Sequence, residues 1–342
     1  MKTSIAGTGR IAWSLELDDL RYKPCTHIGA LCALAQKGET VEWAGLCDTN
    51  PEKSHGAYEF IQSQTKQKID PVVTADYREI IEDHPDLLVI ACDTQAHFEI
   101  LQMAIQRGIP RIVTEKPIVL TPEEAFELEK IAAKGKSMIW VNYERRYHPK
   151  YRKIRSWVQD DPIYGKALHY RGWLGSNLEN LYRHERGEGV LLHDTTHLLD
   201  LAFFIFGKGK TRQISPGKRK NCSLIEITHG HDPQNLLFGE ILTTIKTPAF
   251  HFEIEILFEK ARIRCGNGFL HIEKIQESPY YEGFRSLSPP EIVPDKKMVF
   301  KDNPFIRLYS DVFMEYQPEE IIHQACANII ALTSKNEYND SL

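Results

Sequence analysis

A glycine turn, Gly7-Thr8-Gly9-Arg10-Ile11-Ala12, follows an apolar run that begins at residue 3, and no other stretch of the 342 residues constrains the fold as much. In such a turn the first glycine permits the tight bend and the second lets a phosphate approach the backbone. A small third residue, here Ala12, lets a helix pack on the strand before it. Free amides at a helix start favour an anion, so Thr8, Arg10 and Ile11 join Gly7 and Gly9 as candidate pyrophosphate contacts. Apolar runs and amphipathic stretches then alternate up to Asn142. Strands are expected at 3–6, 41–47, 72–74, 87–91, 111–114 and 138–142, and helices at 51–64, 77–82, 95–107 and 122–134. This alternation predicts a parallel sheet covered on both faces.

The texture changes after Asn142. A helix at 149–159 and a strand at 167–174 precede a polar loop and a helix rich in histidine. From 222 to 275 the chain reads almost wholly as strand. Phe250-His251-Phe252-Glu253-Ile254-Glu255-Ile256 alternates with period two, and Asn267-Gly268 marks a hairpin. An antiparallel sheet with one covered face is implied. The other face is expected to expose Phe250, Phe252, Ile254, Ile256 or their neighbours and to join subunits of a homodimer or homotetramer. A helix at 318–333 closes the chain.

A net charge of −5 supplies no basic field for a nucleic acid. The one basic cluster, Lys208, Lys210, Arg212, Lys218, Arg219 and Lys220, reads as a solvated loop. Seven scattered cysteines without a Cys-x-x-Cys pair fit reduced thiols and a cytoplasmic protein. The N-terminus carries no secretory pattern, and the longest apolar stretch, 198–206, is too short to span a bilayer.

Asp48, at the end of the second strand, is the expected partner of an adenosine ribose and favours NAD over NADP, with Lys53 the first suspect should a 2′-phosphate bind instead. Its spacing is unusual. An acidic group normally follows the glycine turn by about 20 residues, whereas 36 positions separate Ala12 from Asp48. The surplus is placed at 13–27, with Thr26 capping a restarted helix. Tyr22, Lys23, Cys25 and His27 are expected to sit by the cleft and help hold cofactor or substrate, although a surface elaboration without a role fits equally. Lys116, at the carboxyl end of the fifth strand, stands where open α/β sheets bind ligands, and Pro117 restricts it to extended geometry. His193, His197 and Asp200 fall at helical spacing on one face, with Asp194 about one residue off it. The His-x-x-x-His pair would also suit a metal, but no third ligand is indicated.

The glycine turn, Asp48, Glu115-Lys116-Pro117, the stretch from Asn142 to Pro149, and Gly187-x-Gly189 leading into His197-x-x-Asp200 together resemble the Gfo/Idh/MocA family, the glucose–fructose oxidoreductase and inositol dehydrogenase group. The resemblance covers nearly the whole chain. It implies an N-terminal Rossmann dinucleotide-binding domain over 1–142. It also implies a C-terminal α/β domain over 143–342 with an open, mostly antiparallel sheet. The family's chemistry is NAD(P)-dependent oxidation or reduction at a carbon of a sugar, cyclitol or related compound. By resemblance Lys116 binds the reacting oxygen, His197 serves as acid/base, and Tyr143, Arg145 and Arg146 line the substrate cleft with His193. Cys92, Thr94, His97, Glu115 and Lys116 fall near the cofactor. Two positions depart from the pattern. His193 stands where relatives commonly carry an aspartate, with Asp194 one further on, and Asp93 stands where relatives often have Thr-Pro.

These readings converge on an NAD(P)-dependent oxidoreductase acting on a hydroxyl or ketone of a sugar-type substrate. The proton is handled by Lys116 and His197, with His193 or Asp194 orienting the histidine. The rivals are an enzyme that retains its NAD and uses transient oxidation to eliminate or hydrolyse, and a non-enzymatic sugar or NAD sensor on the same fold.

Overall fold

Short runs rich in β-branched residues and leucine form six strands: β1 Lys2–Ala6, β2 Glu42–Cys47, β3 Val72–Thr74, β4 Leu87–Ile90, β5 Arg111–Thr114 and β6 Met138–Val141. In the computed structural model, which describes residues 1–66, 68–179, 189–214, 221–230, 232, 236–294, 299–317 and 321–333, they form one parallel sheet of order β3-β2-β1-β4-β5-β6. Chain reversal between β1 and β4 opens a crevice at their carboxyl ends. The crossovers are α1 His27–Ala35, α2 Pro51–Thr65, α3 Tyr77–Glu82, α4 His97–Gln106 and α5 Pro122–Lys134. Their starts follow local chemistry. Asn50 and Asp76 cap α2 and α3, and Thr121 with Glu124 forms a capping box on α5 behind Pro122.

The helix after the glycine turn is interrupted. Trp13 N–H bonds the Gly9 carbonyl as in a helix and Leu15 N–H the Arg10 carbonyl (3.0 Å), but the carbonyls of Ile11 and Ala12 accept from His27 N (3.2 Å) and Ile28 N (2.8 Å). An unbroken helix would use residue 15 where His27 stands, so twelve residues are looped out and the helical ladder resumes in register. Without them, 24 positions separate Ala12 from Asp48, close to the ordinary spacing of about 20. A 3₁₀ turn, Ser14–Leu17, starts the loop. Its Glu16 Oε1 accepts from Cys25 N (2.6 Å) and Thr26 Oγ1 (2.8 Å), while Thr26 Oγ1 accepts from Gly29 N (3.0 Å) and caps α1. A Cβ on Gly29 would lie 2.2 Å from Glu16 Oε1, so glycine is required there.

The chain falls into two units, Met1–His148 with Met298–Ile330 and Pro149–Lys297 with Ala331–Leu342. The short helix α6, Glu144–Tyr147, ends the first segment of the first unit. The returning segment brings α9, Pro304–Phe313, and most of α10, Ile321–Thr333. Asn303 caps α9 through Phe305 N and Ile306 N, and Phe305, Ile306, Leu308, Tyr309 and Val312 join the core around Ile5, Ile28, Leu31 and Trp140. Trp140 Nε1 donates to the Tyr316 carbonyl (3.0 Å), and Gln317 Nε2 to that of Ile139 (3.0 Å), which ties the segment to β6.

The second unit holds α7 Pro149–Gln159, α8 Thr196–Phe206 and nine strands: β7 Ala167–Ser176, β8 Gly209–Ile214, β9 Cys222–His229, β10 Leu237–Ile245, β11 His251–Phe258, β12 Ala261–Gly266, β13 Phe269–Glu277, β14 Arg285–Leu287 and β15 Glu291–Ile292. The order is β14-β13-β12-β11-β7-β10-β9-β8, with β15 on β13 and only β7–β10 parallel. Tyr170, Leu174, Ile225, Ile241, Phe252, Ile254, Ile256 and Ile263 are buried, and Leu198 of α8 packs over Gly172. Phe252, Ile254 and Ile256, expected among the exposed residues, are buried, whereas Phe250 is exposed as expected. The alternation is real, but the less buried positions of β11 beside them are Glu255 and Leu257. One cross-strand row runs Arg212, Glu226, Glu240, Arg171, Glu255, Arg264, His271 over seven strands. Ion pairs follow it at Arg212–Glu226 (2.8 Å), Arg171–Glu240 (2.6 Å) and Arg264–Glu253 (2.6 Å).

Thr26→Ala and Glu16→Ala should each destabilise the first unit by about 1–2 kcal/mol in urea unfolding. The double variant should lose less than the sum, because the two side chains share one hydrogen bond. Strict additivity would show that Glu16 does not brace the cap.

Candidate functional site

The carboxyl ends of β1, β2, β4, β5 and β6 meet at one rim, where Gly7 N–H bonds Cys47 O (2.7 Å), Glu115 N bonds Ile90 O (2.9 Å) and Asn142 N bonds Thr114 O (2.8 Å). The two glycines of the turn serve different ends. Gly7 has φ +92°, and a Cβ there would strike the Cys92 backbone nitrogen at 2.3 Å. A Cβ on Gly9 would meet nothing within 4 Å. The protein's own packing thus demands glycine at 7 and leaves open space over Gly9, as a pyrophosphate cradle requires. Arg10 is exposed beside it, and Thr8 and Ala12 are buried. Asp48 Oδ2 accepts from Thr8 N (3.0 Å) and Oδ1 from Asn50 N (2.9 Å), with Lys53 Nζ 3.8 Å away. An ionised carboxylate has about four lone-pair sites, so Asp48 braces the turn and retains capacity for a ribose hydroxyl. On these observations the residues fit a dinucleotide.

Glu115 is buried at the end of β5. Its Oε1 accepts from His27 Nε2 (2.9 Å) and Asn142 Nδ2 (2.5 Å), and its Oε2 from Lys116 N (3.3 Å). A carboxylate only accepts, so His27 donates from Nε2, and its Nδ1 pairs with the Tyr309 hydroxyl (2.8 Å). Burial pushes the Glu115 carboxyl up, but His27, then Asn142 and Lys116, outweigh it, and the group titrates below its ordinary value. Desolvation holds the Tyr309 phenol well above its ordinary value, so it stays protonated. His97, also fully buried, places Nδ1 3.0 Å from the Pro117 carbonyl and Nε2 3.3 Å from that of Cys92. The backbone on both sides of Lys116 is therefore tied down, and Lys116 itself is partly exposed. Burial pushes the Cys92 thiol up to about 12, and the buried Thr94 opens the 3₁₀ turn that follows. Asp93 is exposed.

The looped-out segment does not do what its composition promised. His27 faces the core and holds Glu115; Lys23 Nζ donates to the carbonyls of Leu15 (3.1 Å) and Asp18 (2.8 Å). Burial, with Glu16 beside it, pushes the Cys25 thiol up to about 11, and its Sγ donates to Leu15 O. Tyr22 lies near α6. Burial raises its phenol pKa, Glu144 and Cys25 raise it further, and Arg145 and Arg21 oppose them. Within the stretch expected to contact substrate, Tyr143 is fully buried and accepts at its hydroxyl from Asn328 Nδ2 (3.4 Å). Arg146 is buried over the Tyr143 ring, and Arg145 is partly exposed.

The histidines of the second unit sit on two kinds of helix. Leu191–Thr195 is a π-helical turn, and α8 begins at Thr196. Thr195 Oγ1 pairs with Thr243 Oγ1 of β10 (2.9 Å), and Thr196 Oγ1 donates back to Leu192 O (3.0 Å). His193 lies in the π-turn and His197 in the first turn of α8. His193 Nδ1 meets Asp194 Oδ1 at 2.8 Å; both are partly exposed, as is His197, while Asp200 is buried. Gly189 takes φ +60°; Gly187 lies outside the described residues, as do Lys218, Arg219 and Lys220. Among the described residues no group of three or more His, Cys, Asp or Glu side chains is placed to hold a metal, and no helix is long and apolar enough to cross a membrane.

Two outcomes follow from this rim. Gly9→Ala should leave stability within about 0.5 kcal/mol yet weaken NAD binding measured by titration, whereas Gly7→Ala should destabilise by about 2 kcal/mol or more. Equal effects on stability would refute the distinction. Glu115 titrates lower in the folded than in the unfolded chain, so its contribution is complete above its ordinary value near 4.5 and is lost as pH falls through the lower folded value. Glu115→Gln should flatten the acid limb of the stability–pH profile below that point; an unchanged limb would contradict the assignment.

Comparison with known proteins places this geometry. Residues 1–143 match the sequence model of GFO_IDH_MocA, the oxidoreductase family with an NAD-binding Rossmann fold. The chain is 28% identical over 131 residues to the inositol 2-dehydrogenase/D-chiro-inositol 3-dehydrogenase of Lactiplantibacillus plantarum, covering 37% of this chain and 35% of that protein. It is 31% identical over 147 residues to the levoglucosan dehydrogenase of Pseudarthrobacter phenanthrenivorans, covering 40% and 37%. The matched stretches thus span little more than a third of these curated relatives. A solved levoglucosan dehydrogenase in complex with NADH and L-sorbose has the same fold, with a TM-score of 0.72, 14% identity and 96% and 95% of the two chains covered. A UDP-N-acetylglucosamine 3-dehydrogenase from Acidithiobacillus ferrooxidans gives a TM-score of 0.67 at 15% identity over 97% and 95%. Through its first 143 residues the chain is similar to the GFO_IDH_MocA oxidoreductases with an NAD-binding Rossmann fold.

Proposed function

We propose that the chain is an NAD-dependent dehydrogenase or reductase acting at the hydroxyl or ketone carbon of a sugar, cyclitol or sugar derivative. The observation that carries the reading is the anchoring of Lys116: Glu115 before it is locked into a buried network, and the Pro117 carbonyl after it is held by His97. A lysine serving only as a surface charge needs no such support on both sides. Bound NAD supplies the hydride acceptor or donor. Gly7, Thr8, Gly9 and Arg10 receive the pyrophosphate, and Asp48 binds the adenosine ribose and disfavours a 2′-phosphate. Lys116 holds the reacting oxygen and takes or returns its proton. His197 exchanges that proton with solvent, and the His193–Asp194 pair orients it. Arg145 and Arg146 line the substrate.

Turnover is found first by screening levoglucosan, inositols, L-sorbose and other polyols with NAD. Lys116→Ala should then lower kcat by about a hundredfold or more while NAD affinity changes little. His197→Ala should act in the same direction, and the double variant should fall short of additivity. Near-normal turnover by the Lys116 variant removes the chemical core of the reading. Turnover without release of free NADH shifts it to an enzyme that keeps its NAD bound.

A further inference from the structure

Asn142 is 4% exposed, its Oδ1 is itself buried, and among the described residues that oxygen meets no donor. The orientation of the amide is fixed. Its Nδ2 lies 2.5 Å from Glu115 Oε1, and an ionised carboxylate has no proton to offer, so the nitrogen must face Glu115 and the oxygen must face away. Glu115 in turn is fixed by His27, fully buried, and through it by Tyr309. A buried amide oxygen without a donor is destabilising, and in a native structure it asks for a partner.

The place of Asn142 in the sheet says which partner. It stands at the carboxyl end of β6, beside β5, in the half made of β4, β5 and β6. The glycine turn after β1 and Asp48 after β2 belong to the half that takes the adenosine end, so the other half faces the nicotinamide end. The donors there are the ribose hydroxyls and the carboxamide N–H2. A hydroxyl turns its proton to whatever acceptor is near. The planar carboxamide cannot, and it needs an acceptor set in place beforehand.

We propose that Asn142 Oδ1 accepts a hydrogen bond from the carboxamide N–H2 of the nicotinamide, with Glu115 and His27 acting as positioning residues for that oxygen. The inference rests on the dehydrogenase reading above. It makes Asn142 a cofactor-binding residue, and it gives the buried histidine of α1 a task connected with the site.

The test is equilibrium binding, without turnover. Protein fluorescence is titrated with NAD, with its acetylpyridine analogue, which keeps the carbonyl but lacks the N–H2, and with ADP-ribose, which lacks the ring. The wild type should bind NAD about tenfold more tightly than the analogue, the worth of one such hydrogen bond. Asn142→Leu should bind NAD about tenfold more weakly, bind both dinucleotides alike, and keep its affinity for ADP-ribose. Equal affinity of the wild type for NAD and the analogue overturns the inference while leaving the dehydrogenase reading intact. Should the leucine variant misfold, this wild-type comparison still decides. Weakened ADP-ribose binding by a folded Asn142→Leu also overturns it, in favour of a ribose contact. Failure of the wild type to bind NAD and ADP-ribose removes both readings.

Discussion

The Glu115 carboxylate is buried with donors from two distant parts of the chain and from the next residue, and the rim of the first unit is organised around that requirement. An ionised carboxylate left unpaired in such a place would cost several kcal/mol, so His27 from α1 and Asn142 from β6 must arrive in register for the sheet to close. Tyr309, on the returning helix α9, hydrogen-bonds the other ring nitrogen of His27 and completes the chain. Lys116 follows immediately, with its own amide on the other carboxylate oxygen. The residue assigned to chemistry is thereby coupled to the folding of the whole unit. A substitution at His27 or Tyr309, neither of which lies in the glycine turn or the Glu-Lys-Pro motif, displaces the same backbone.

The looped-out segment is tolerable for the same reason. Twelve residues could be added only where they would not shift His27 around its helix, since a one-residue slip would turn the imidazole about 100° away from Glu115. The bonds from His27 to Ile11 and from Ile28 to Ala12 preserve that register. Glu16 and Thr26 then cap the resumed helix, and Gly29 makes room for the carboxylate. Leu17, Leu20 and Tyr22 remain exposed at the loop's edge.

Much of the first unit was legible because its signals are local. The six strands coincide with short apolar runs, and α3 and α5, like α7 of the second unit, match the predicted spans residue for residue. The position of the insertion followed from spacing alone. What was not legible depends on partners far away in sequence. His27 read as a cleft residue because nothing near it announces Glu115, 88 positions on. α9 was missed although Asn303-Pro304 is a proper cap and first-turn pair, and its place in the first unit has no local mark. The π-turn before α8 has no local mark either: Thr195 within it bonds Thr243 on another strand, which a helical wheel cannot contain.

The second unit shows where periodicity stops informing and charge takes over. Alternation along β11 establishes two faces but does not say which is inward. Electrostatics does: Glu253 and Glu255 cannot be buried unpaired against the helices, so Phe252, Ile254 and Ile256 must be. Arg171 with Glu240 and Arg212 with Glu226 then pair across the strands on the outer face. Such exposed pairs contribute little individually, about 0–1 kcal/mol each, but a one-residue slip of any strand would bury a row of them, so they secure register more than stability. That register is what fixes Thr243 opposite Thr195. The position of the His193–Asp194 pair is in this way set by the sheet, through the threonine contact and the π-turn, and not by the helix on which the histidines appear to lie in the sequence.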